Sequence, residues 1–437
     1  MGITGIFLDE SQKDVALVTY KSLFALQHRG QAFTGMITIG EGKVFRHFGP
    51  GIISNVFSNE LLHSIKGNVS IGQVFNRRSD KKNLPVINRF RYGNIAIAYE
   101  GKIGNIEELR ESLKEDGISF ATDSDGEVII SLIAKKSHQG LEKAIATTVN
   151  ELSGSFSMII MTDDRIFGMR DENGVFPLCL GRLKHGWILA NESGAIESVG
   201  GEFFRDISPG EMTIIDGEGL FSFEFRHMKK KLACAYEYTY FSRQDSNLDG
   251  ISIQESRLRV GAALAQKFPV KADIVVGIPD SGISFAMGYS NASGIPYAQG
   301  IVKNIFASRS DDLFDTGAVV CRKLNVLRSD VEGKRVIVVD DSVVSGITIK
   351  ELSRRLKRAG ALEVHFRIAT PTVKTNCVYN SPAFPIRSGD FVDAEKLKEE
   401  ICADPSQSLE FLPVEDLLNA LKSPCPEADG FCTKCIE

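Results

Sequence analysis

The segment Val336-Ile337-Val338-Val339-Asp340-Asp341-Ser342-Val343-Val344-Ser345-Gly346-Ile347-Thr348 carries the residue types that a sugar phosphate needs, in a usable order. An apolar strand delivers two carboxylates, Asp340 and Asp341. A short loop with Ser342, Ser345, Gly346 and Thr348 then opens a helix. Backbone N–H groups at a helix N-terminus make an anion site for a terminal phosphate. Gly346 permits close backbone approach, and the Ser345 and Thr348 hydroxyls can donate to phosphate oxygens. Paired acids at the strand end can accept from two ribose hydroxyls or help hold a Mg2+-bound sugar. The plainer alternative is that Asp340 and Ser342 merely cap the helix. The full strand–acid–acid–loop–helix order favours a site for phosphoribosyl pyrophosphate (PRPP). Gly277-Ile278-Pro279-Asp280-Ser281-Gly282 has the same setting and could turn N–H groups toward a pyrophosphate, although Pro-Asp-Ser-Gly is also ordinary turn chemistry.

The elements that must position these residues divide the chain by rhythm. Up to about residue 230, short strands dominate: Gly2 to Leu8, Gly35 to Ile39, Val69 to Val74, Ile95 to Tyr99, Phe156 to Met161 and Gly186 to Ala190. Helical spacing is confined to Val15–Gln27, Ile106–Leu113 and Val128–Lys136. This predicts a sheet-rich α+β layered domain. After Lys231 strands and helices alternate: a helix over Ile253–Phe268, a strand over Asp273–Ile278, a helix over Ile283–Ser290, a strand over Val336–Val339, a helix over Thr348–Arg358 and a strand over Val364–Ala369. That alternation predicts an α/β domain with a parallel sheet, whose ligands sit at the carboxyl ends of its strands. We place the domains at 1–230, 231–375 and a C-terminal extension over 376–437, the last read as irregular and rich in Pro, Glu and Cys.

The net charge of −5 is spread without long blocks, which argues against nucleic acid as a partner. No apolar run reaches the length of a membrane span, and the N-terminus lacks a basic stretch before an apolar one, so a cytoplasmic protein is expected. Eight cysteines in such a chain suggest metal or catalytic use for some of them. Cys432-Thr433-Lys434-Cys435 is a C-x2-C that suits zinc, iron–sulfur or redox chemistry. Trp187 and His365 read as core residues, and Arg77-Arg78 as a solvated pair.

With these features together, the chain resembles the glutamine PRPP amidotransferase (amidophosphoribosyltransferase) family over nearly its whole length. The resemblance is carried by Leu26-Gln27-His28-Arg29-Gly30-Gln31, Ser124-Asp125-Gly126-Glu127-Val128-Ile129, Arg170-Asp171 and Asp206-Ile207-Ser208-Pro209-Gly210-Glu211. It continues through Glu237-Tyr238, Tyr240-Phe241, Ile278 to Gly282, Ser293 to Tyr297, Lys303-Asn304, Lys323-Leu324-Asn325 and Gly333 to Thr348. It implies an αββα N-terminal-nucleophile-type glutaminase domain joined to a type I phosphoribosyltransferase domain. It further implies that Asp340 and Asp341 hold the ribose and Mg2+, that Ser342, Ser345, Gly346 and Thr348 cradle the 5-phosphate, that Asp280, Ser281, Gly282 and Lys303 meet the pyrophosphate and its Mg2+, and that Lys323 also binds PRPP. A subset of the family binds a [4Fe–4S] cluster through four cysteines, matched here by Cys234, Cys377, Cys432 and Cys435; Cys179, Cys321, Cys402 and Cys425 stay unassigned.

The departures from the family fall mostly in the glutaminase half. Met1 stands where the family has its nucleophilic cysteine, Phe75 where an arginine grips the glutamine carboxylate, and Glu100 where an asparagine forms the oxyanion hole. A thioether has no proton to give up, and a carboxylate repels a developing oxyanion. Asp125, matching the residue that binds the substrate amine, is kept, and His28 and Arg29 read as fold-supporting residues away from the nucleophile. The transferase half departs less: Ser345-Gly346-Ile347-Thr348 replaces Arg-Gly-Thr-Thr, and the loop after Lys303 has lost one Arg and one Gly. The expectation is a PRPP- and Mg2+-binding protein of purine biosynthesis that forms 5-phosphoribosylamine from ammonia without its own glutaminase. The alternative is a non-catalytic subunit sensing PRPP or a purine nucleotide. Either would act as a homo-oligomer or as a hetero-oligomer with an active relative.

Overall fold

The computed structural model describes residues 1–76, 85–228, 231–304, 323–379, 391–422 and 430–436. In the N-terminal half two antiparallel sheets face each other. The first has seven strands in the order Glu202–Asp206, Cys179–Leu183, Gly186–Ala190, Gly2–Leu8, Val69–Phe75, Phe33–Gly40 and Lys43–Pro50. The second has six: Gly219–Glu224, Glu211–Asp216, Ile166–Arg170, Gly154–Thr162, Gly93–Ile103 and Val86–Phe90. Gly2–Leu8 is central and buried on both faces, which explains why it is apolar apart from Thr4. One face of each sheet packs on the other through Ile3, Phe7, Ile37 and Ile71 against Ala98, Ile159 and Met161. The outer faces are covered by the helix Val15–Ala25 on one side and by Ile106–Glu115, Asp125–Lys136 and Leu141–Glu151 on the other. The layers are helix–sheet–sheet–helix, as expected. The helix Leu141–Glu151 has no counterpart in the sequence reading; its buried face includes Ala144 and Thr148, residues that blur the apolar stripe.

The C-terminal half is built on a four-stranded parallel sheet, Ile274–Gly277, Arg335–Asp340, Glu363–Ile368 and Gln407–Phe411. Alternation along the central strand divides its faces. Ile337 and Val339 pack against the helices Ile253–Lys267, Gly282–Ser293 and Val414–Lys422, while Val336 and Val338 pack against Ile347–Arg358 and Ala394–Cys402. Two glycines set how closely the first two helices approach. A Cβ on Gly261 would lie 2.0 Å from the Phe285 carbonyl oxygen, and one on Gly288 would lie 2.1 Å from that of Leu258.

One expectation is corrected here. Where residues 376–437 are described, they are not irregular throughout. Gln407–Phe411 is the fourth strand of the transferase sheet, flanked by two helices that fill its core. As an edge strand whose two apolar residues, Leu409 and Phe411, are separated by Glu410, it offered no apolar run to read. Further on, Phe431–Cys432 pairs in parallel with Ala233–Cys234, at the junction between the two halves. Across that junction Arg170 is bidentate to Asp249 at 2.8 and 3.2 Å, and Val175 and Phe176 join the transferase core. Among the described residues no helix is long and apolar enough to cross a membrane.

Candidate active site

The parallel register brings the two phosphate elements side by side. Gly277 is level with Val339, and the Ile278 N–H donates to the Val339 carbonyl at 2.9 Å, so both chains turn out of the sheet at the same edge. A Cβ on Gly282 would come within 2.5 Å of that same carbonyl oxygen; only glycine lets the helix start this close to the strand end. Ser281 Oγ donates to Asp341 Oδ1 at 3.2 Å, joining the two loops directly. Lys303, at the end of the strand Ile301–Lys303, pairs with Asp280, and Lys323 accepts at its carbonyl from the Asn304 N–H at 2.8 Å. The sequence-read PRPP residues Asp280, Ser281, Gly282, Lys303, Lys323, Asp340, Asp341 and Ser342 thus lie on adjoining strand ends and their loops. The rest of the loop after Lys303, with Arg309 and Cys321, lies outside the described residues.

Asp340 and Asp341 are both buried. Burial and the neighbouring Asp341 carboxylate push Asp340 well above the ordinary carboxylate range. Burial also raises Asp341, against the pull of hydrogen bonding with Asp340, the Arg257 charge and Ser281. Two acids crowded this way favour a cation between or beside them, which fits a Mg2+-bound sugar. The helix Ile347–Arg358 begins at Gly346, whose φ is 74°, and no side chain caps it. Asp340 and Ser342 therefore do not cap this helix. Ser345 is exposed and Thr348 half-buried at its start.

In the N-terminal half, the positions that match the family's glutaminase site converge. Met1 is buried, and its amino group lies 2.9 Å from Glu100 Oε1. Asn191 Nδ2 donates to Glu100 Oε2 at 3.0 Å, and Gln73 Nε2 lies 3.7 Å from Met1 Sδ. Phe75 is buried at the end of its strand. Asp125 lies nearby in the chain fold, accepting from Tyr99 Oη at 2.8 Å. Arg29 corrects the sequence reading: it does not sit away from the pocket but reaches within 3.6 Å of Glu100 Oε2. It also donates to Glu192 at 2.7 Å and to Glu237 Oε1 at 3.0 Å, Glu237 belonging to the transferase half. Burial works against the Arg29 charge, but Glu237, Glu100 and Glu192 hold the guanidinium protonated more firmly than usual. Burial likewise works against Glu192, yet His28, 2.6 Å away, and Arg29 depress it far below the carboxylate range. Glu237 goes the other way: burial dominates, Arg29 only partly offsets it, and Glu100 and Glu192 add repulsion, so its pKa is raised. Glu100 thus belongs to a buried network of acids around one arginine.

The four matched cysteines are brought together at the junction. Cys234 is level with Cys432 in the parallel pair, and the charges of Cys377, Cys432 and Cys435 all act on the Cys234 thiol. The Lys374 N–H donates to the Cys435 carbonyl at 2.8 Å, tying the segment that carries Cys377 to the tail. Burial, Glu237 and the other three thiols push Cys234 well above its ordinary value. Four cysteines on these neighbouring segments are the kind of donor set that a polynuclear metal centre takes up as thiolates, supplying the positive charge that offsets the burial of Cys234. Among the described residues no three His, Cys, Asp or Glu side chains are placed to hold a single metal ion; a four-iron cluster is larger than one ion and needs its thiolates further apart. Cys179 is buried in the N-terminal half and Cys402 is exposed; Cys425 lies outside the described residues.

Comparison with known proteins agrees with both halves. The family model for a glutamine amidotransferase domain matches residues 73–198, and that for a phosphoribosyl transferase domain matches residues 252–377. The amidophosphoribosyltransferase of Bacillus subtilis is 36% identical over 447 residues, covering 99% of this chain and 92% of the relative. That of Archaeoglobus fulgidus is 36% identical over 448 residues, covering 100% and 96%. The solved structure of the B. subtilis glutamine PRPP amidotransferase, complexed with ADP and GMP, superposes with a TM-score of 0.90 at 36% identity, covering 100% of this chain and 96% of that one. On its architecture, its matched domains and its full-length similarity, the chain belongs to the amidophosphoribosyltransferase family.

Proposed function

We propose that this chain binds PRPP with Mg2+ and converts it to 5-phosphoribosylamine using ammonia supplied from outside, without hydrolysing glutamine itself. The observation that carries the first part is the shared edge at which Asp340 and Asp341 meet the Asp280–Gly282 loop through the Ser281–Asp341 hydrogen bond. Ammonia attacks the anomeric carbon with its lone pair, the bond to pyrophosphate breaks with its electron pair going to the leaving oxygen, and the added nitrogen sheds a proton to water. Positive charge that develops on the sugar is stabilised by the two nearby carboxylates. Mg2+, when bound, would neutralise the pyrophosphate, with Asp340 and Asp341 as its protein-side partners. The second part rests on Met1 and Glu100: a thioether and a paired carboxylate stand where a nucleophile and an oxyanion donor are needed. Cys234, Cys377, Cys432 and Cys435 are the residues that would hold a [4Fe–4S] cluster, serving to fasten the tail to the junction.

The test is phosphoribosylamine formation from PRPP and ammonium by the purified protein, with Asp340→Ala expected to abolish it. Absence of turnover at high ammonium sinks the catalytic reading, and glutamate release from glutamine sinks the loss of the glutaminase. Iron and acid-labile sulfide in the anaerobically purified protein, absent after Cys234→Ser, test the cluster. A second reading, a non-catalytic subunit that senses PRPP or a purine nucleotide, is favoured by the altered phosphate loop at Ser345 and Ile347 and by the nucleotide complex of the B. subtilis relative. Calorimetric binding of GMP or ADP without turnover supports it.

A further inference from the structure

The loop from Ser342 to Thr348 leans on a part of the chain that the sequence reading left irregular. For backbone N–H groups to face a phosphate, the carbonyls of the same loop must face elsewhere and find donors there. The Val344 carbonyl finds its donor outside the loop, in the Val392 N–H at 2.9 Å. In a trans peptide the carbonyl and the following N–H point to opposite sides. Fixing the Val344 carbonyl on Val392 therefore turns the Ser345 N–H away from that segment, and among the described residues this N–H has no backbone acceptor.

The same segment packs beneath the loop's glycine. Gly346 is buried, and a Cβ on it would lie 3.1 Å from Leu397 Cδ1 and 3.2 Å from Val392 Cγ2. With a φ of 74°, Gly346 is the left-handed residue of the loop, so the two side chains support the backbone where its conformation is most particular. Leu397 is itself fixed. It is 1% exposed and shares a buried cluster with Val343 of the loop, Ile349 of the helix that the loop opens, and Ile401 one turn further along its own helix. The start of that helix, Ala394–Cys402, is set by Asp393, whose carboxylate accepts from the Glu395 N–H at 3.0 Å and the Lys396 N–H at 3.2 Å. The cap holds Val392, the residue before it, in a fixed relation to the helix. The Asp280–Gly282 loop is held differently, by Ser281 on Asp341 and by Gly282 against the Val339 carbonyl. The two phosphate loops thus have separate supports.

We propose that Val392 and Leu397 are positioning residues for the 5-phosphate of PRPP: the C-terminal segment that carries them sets the conformation in which the Ser342–Thr348 loop offers its N–H groups to that phosphate. This rests on the PRPP-binding reading above. Both residues act through the loop, so their loss should appear at the 5-phosphate and not at the pyrophosphate.

The experiment is calorimetric titration of the full-length protein with PRPP in Mg2+, and separately with inorganic pyrophosphate in Mg2+, beside urea unfolding of each variant. Leu397→Ala removes the support under Gly346, Leu397→Met restores its volume, and Asp393→Ala loosens Val392 from an exposed position. Ile401→Ala is the comparator, a buried residue of the same helix about 6 Å further along it. Leu397→Ala should weaken PRPP about tenfold and Asp393→Ala about threefold, with pyrophosphate affinity kept within about twofold and Leu397→Met close to wild type. Ile401→Ala should lower the urea midpoint and leave PRPP affinity unchanged. PRPP affinity of Leu397→Ala within about twofold of wild type overturns the proposal. So does an equal loss for pyrophosphate, or an equal loss in Ile401→Ala, which would make the effect one of general softening. If Leu397→Ala does not fold, Asp393→Ala decides by the same comparison. Failure of the wild-type protein to bind PRPP removes the function reading and this proposal with it; binding by wild type with unaffected variants removes the proposal alone.

Discussion

Single residues decide most of what this molecule can do chemically. Gly282 holds the helix start against the Val339 carbonyl, and an added methyl at 2.5 Å would have to displace backbone. Gly282→Ala should cost about 1–3 kcal/mol of stability and weaken PRPP binding, read by urea unfolding and calorimetry. Glu237 offers a pH signature. Its folded pKa is raised by burial, so between the ordinary carboxylate range and neutrality the folded chain binds more protons than the unfolded one. The contribution of Glu237 is therefore fully present at low pH and is lost as pH rises through the raised value. Glu237→Gln should flatten that fall in the urea midpoint; a midpoint that rises over this window in wild type, or an unchanged slope in the variant, contradicts the assignment. Glu192 works oppositely, its depressed pKa giving stability that is lost only in strong acid. Removing the cation they share, Arg29→Met, should cost about 3–5 kcal/mol, because three buried acids lose their counter-charge.

At the scale of elements, legibility in the sequence followed contiguity. The Asp340 loop is a strand, a loop and a helix in unbroken succession, so composition and order sufficed to place Asp340, Asp341 and Gly346 together. Arg29 was misplaced because its partners Glu192 and Glu237 are 163 and 208 residues away, and nothing local marks such a pairing. Leu397 was invisible for the same reason: between it and Gly346 lie the helix Ile347–Arg358 and the strand Glu363–Ile368, and only the fold closes that distance. The edge strand Gln407–Phe411 was lost to its polar alternation. Gly261 could be seen but not interpreted. Replacing it by Ala would favour the helix by up to about 1 kcal/mol in isolation. In this fold it should instead destabilise by about 1–3 kcal/mol, since the methyl meets the Phe285 carbonyl. Equilibrium urea unfolding of Gly261→Ala distinguishes the two signs.

Across the whole molecule, the two halves are joined by more than a linker. Arg29–Glu237, Arg170–Asp249 and the mixed core around Val175 and Phe176 all cross the junction. The tail completes it by burying Phe431 and Ile436 in the same core. Deleting residues 430–437 removes two buried apolar side chains worth about 1.5–3 kcal/mol each. It should split a single urea transition into two as the halves uncouple; a truncated protein that still unfolds in one transition at the wild-type midpoint would show that the tail contributes nothing to the joint.

The parallel pairing of Ala233–Cys234 with Phe431–Cys432 also fixes an order of events during synthesis. The first strand of that pair leaves the ribosome about two hundred residues before the second. Each half can begin to fold as its own residues emerge, but the seam between them stays open until the ribosome has passed Cys435. The clasp is therefore made last, and a nascent chain stalled anywhere in the transferase half holds two domains that are formed but not yet fastened.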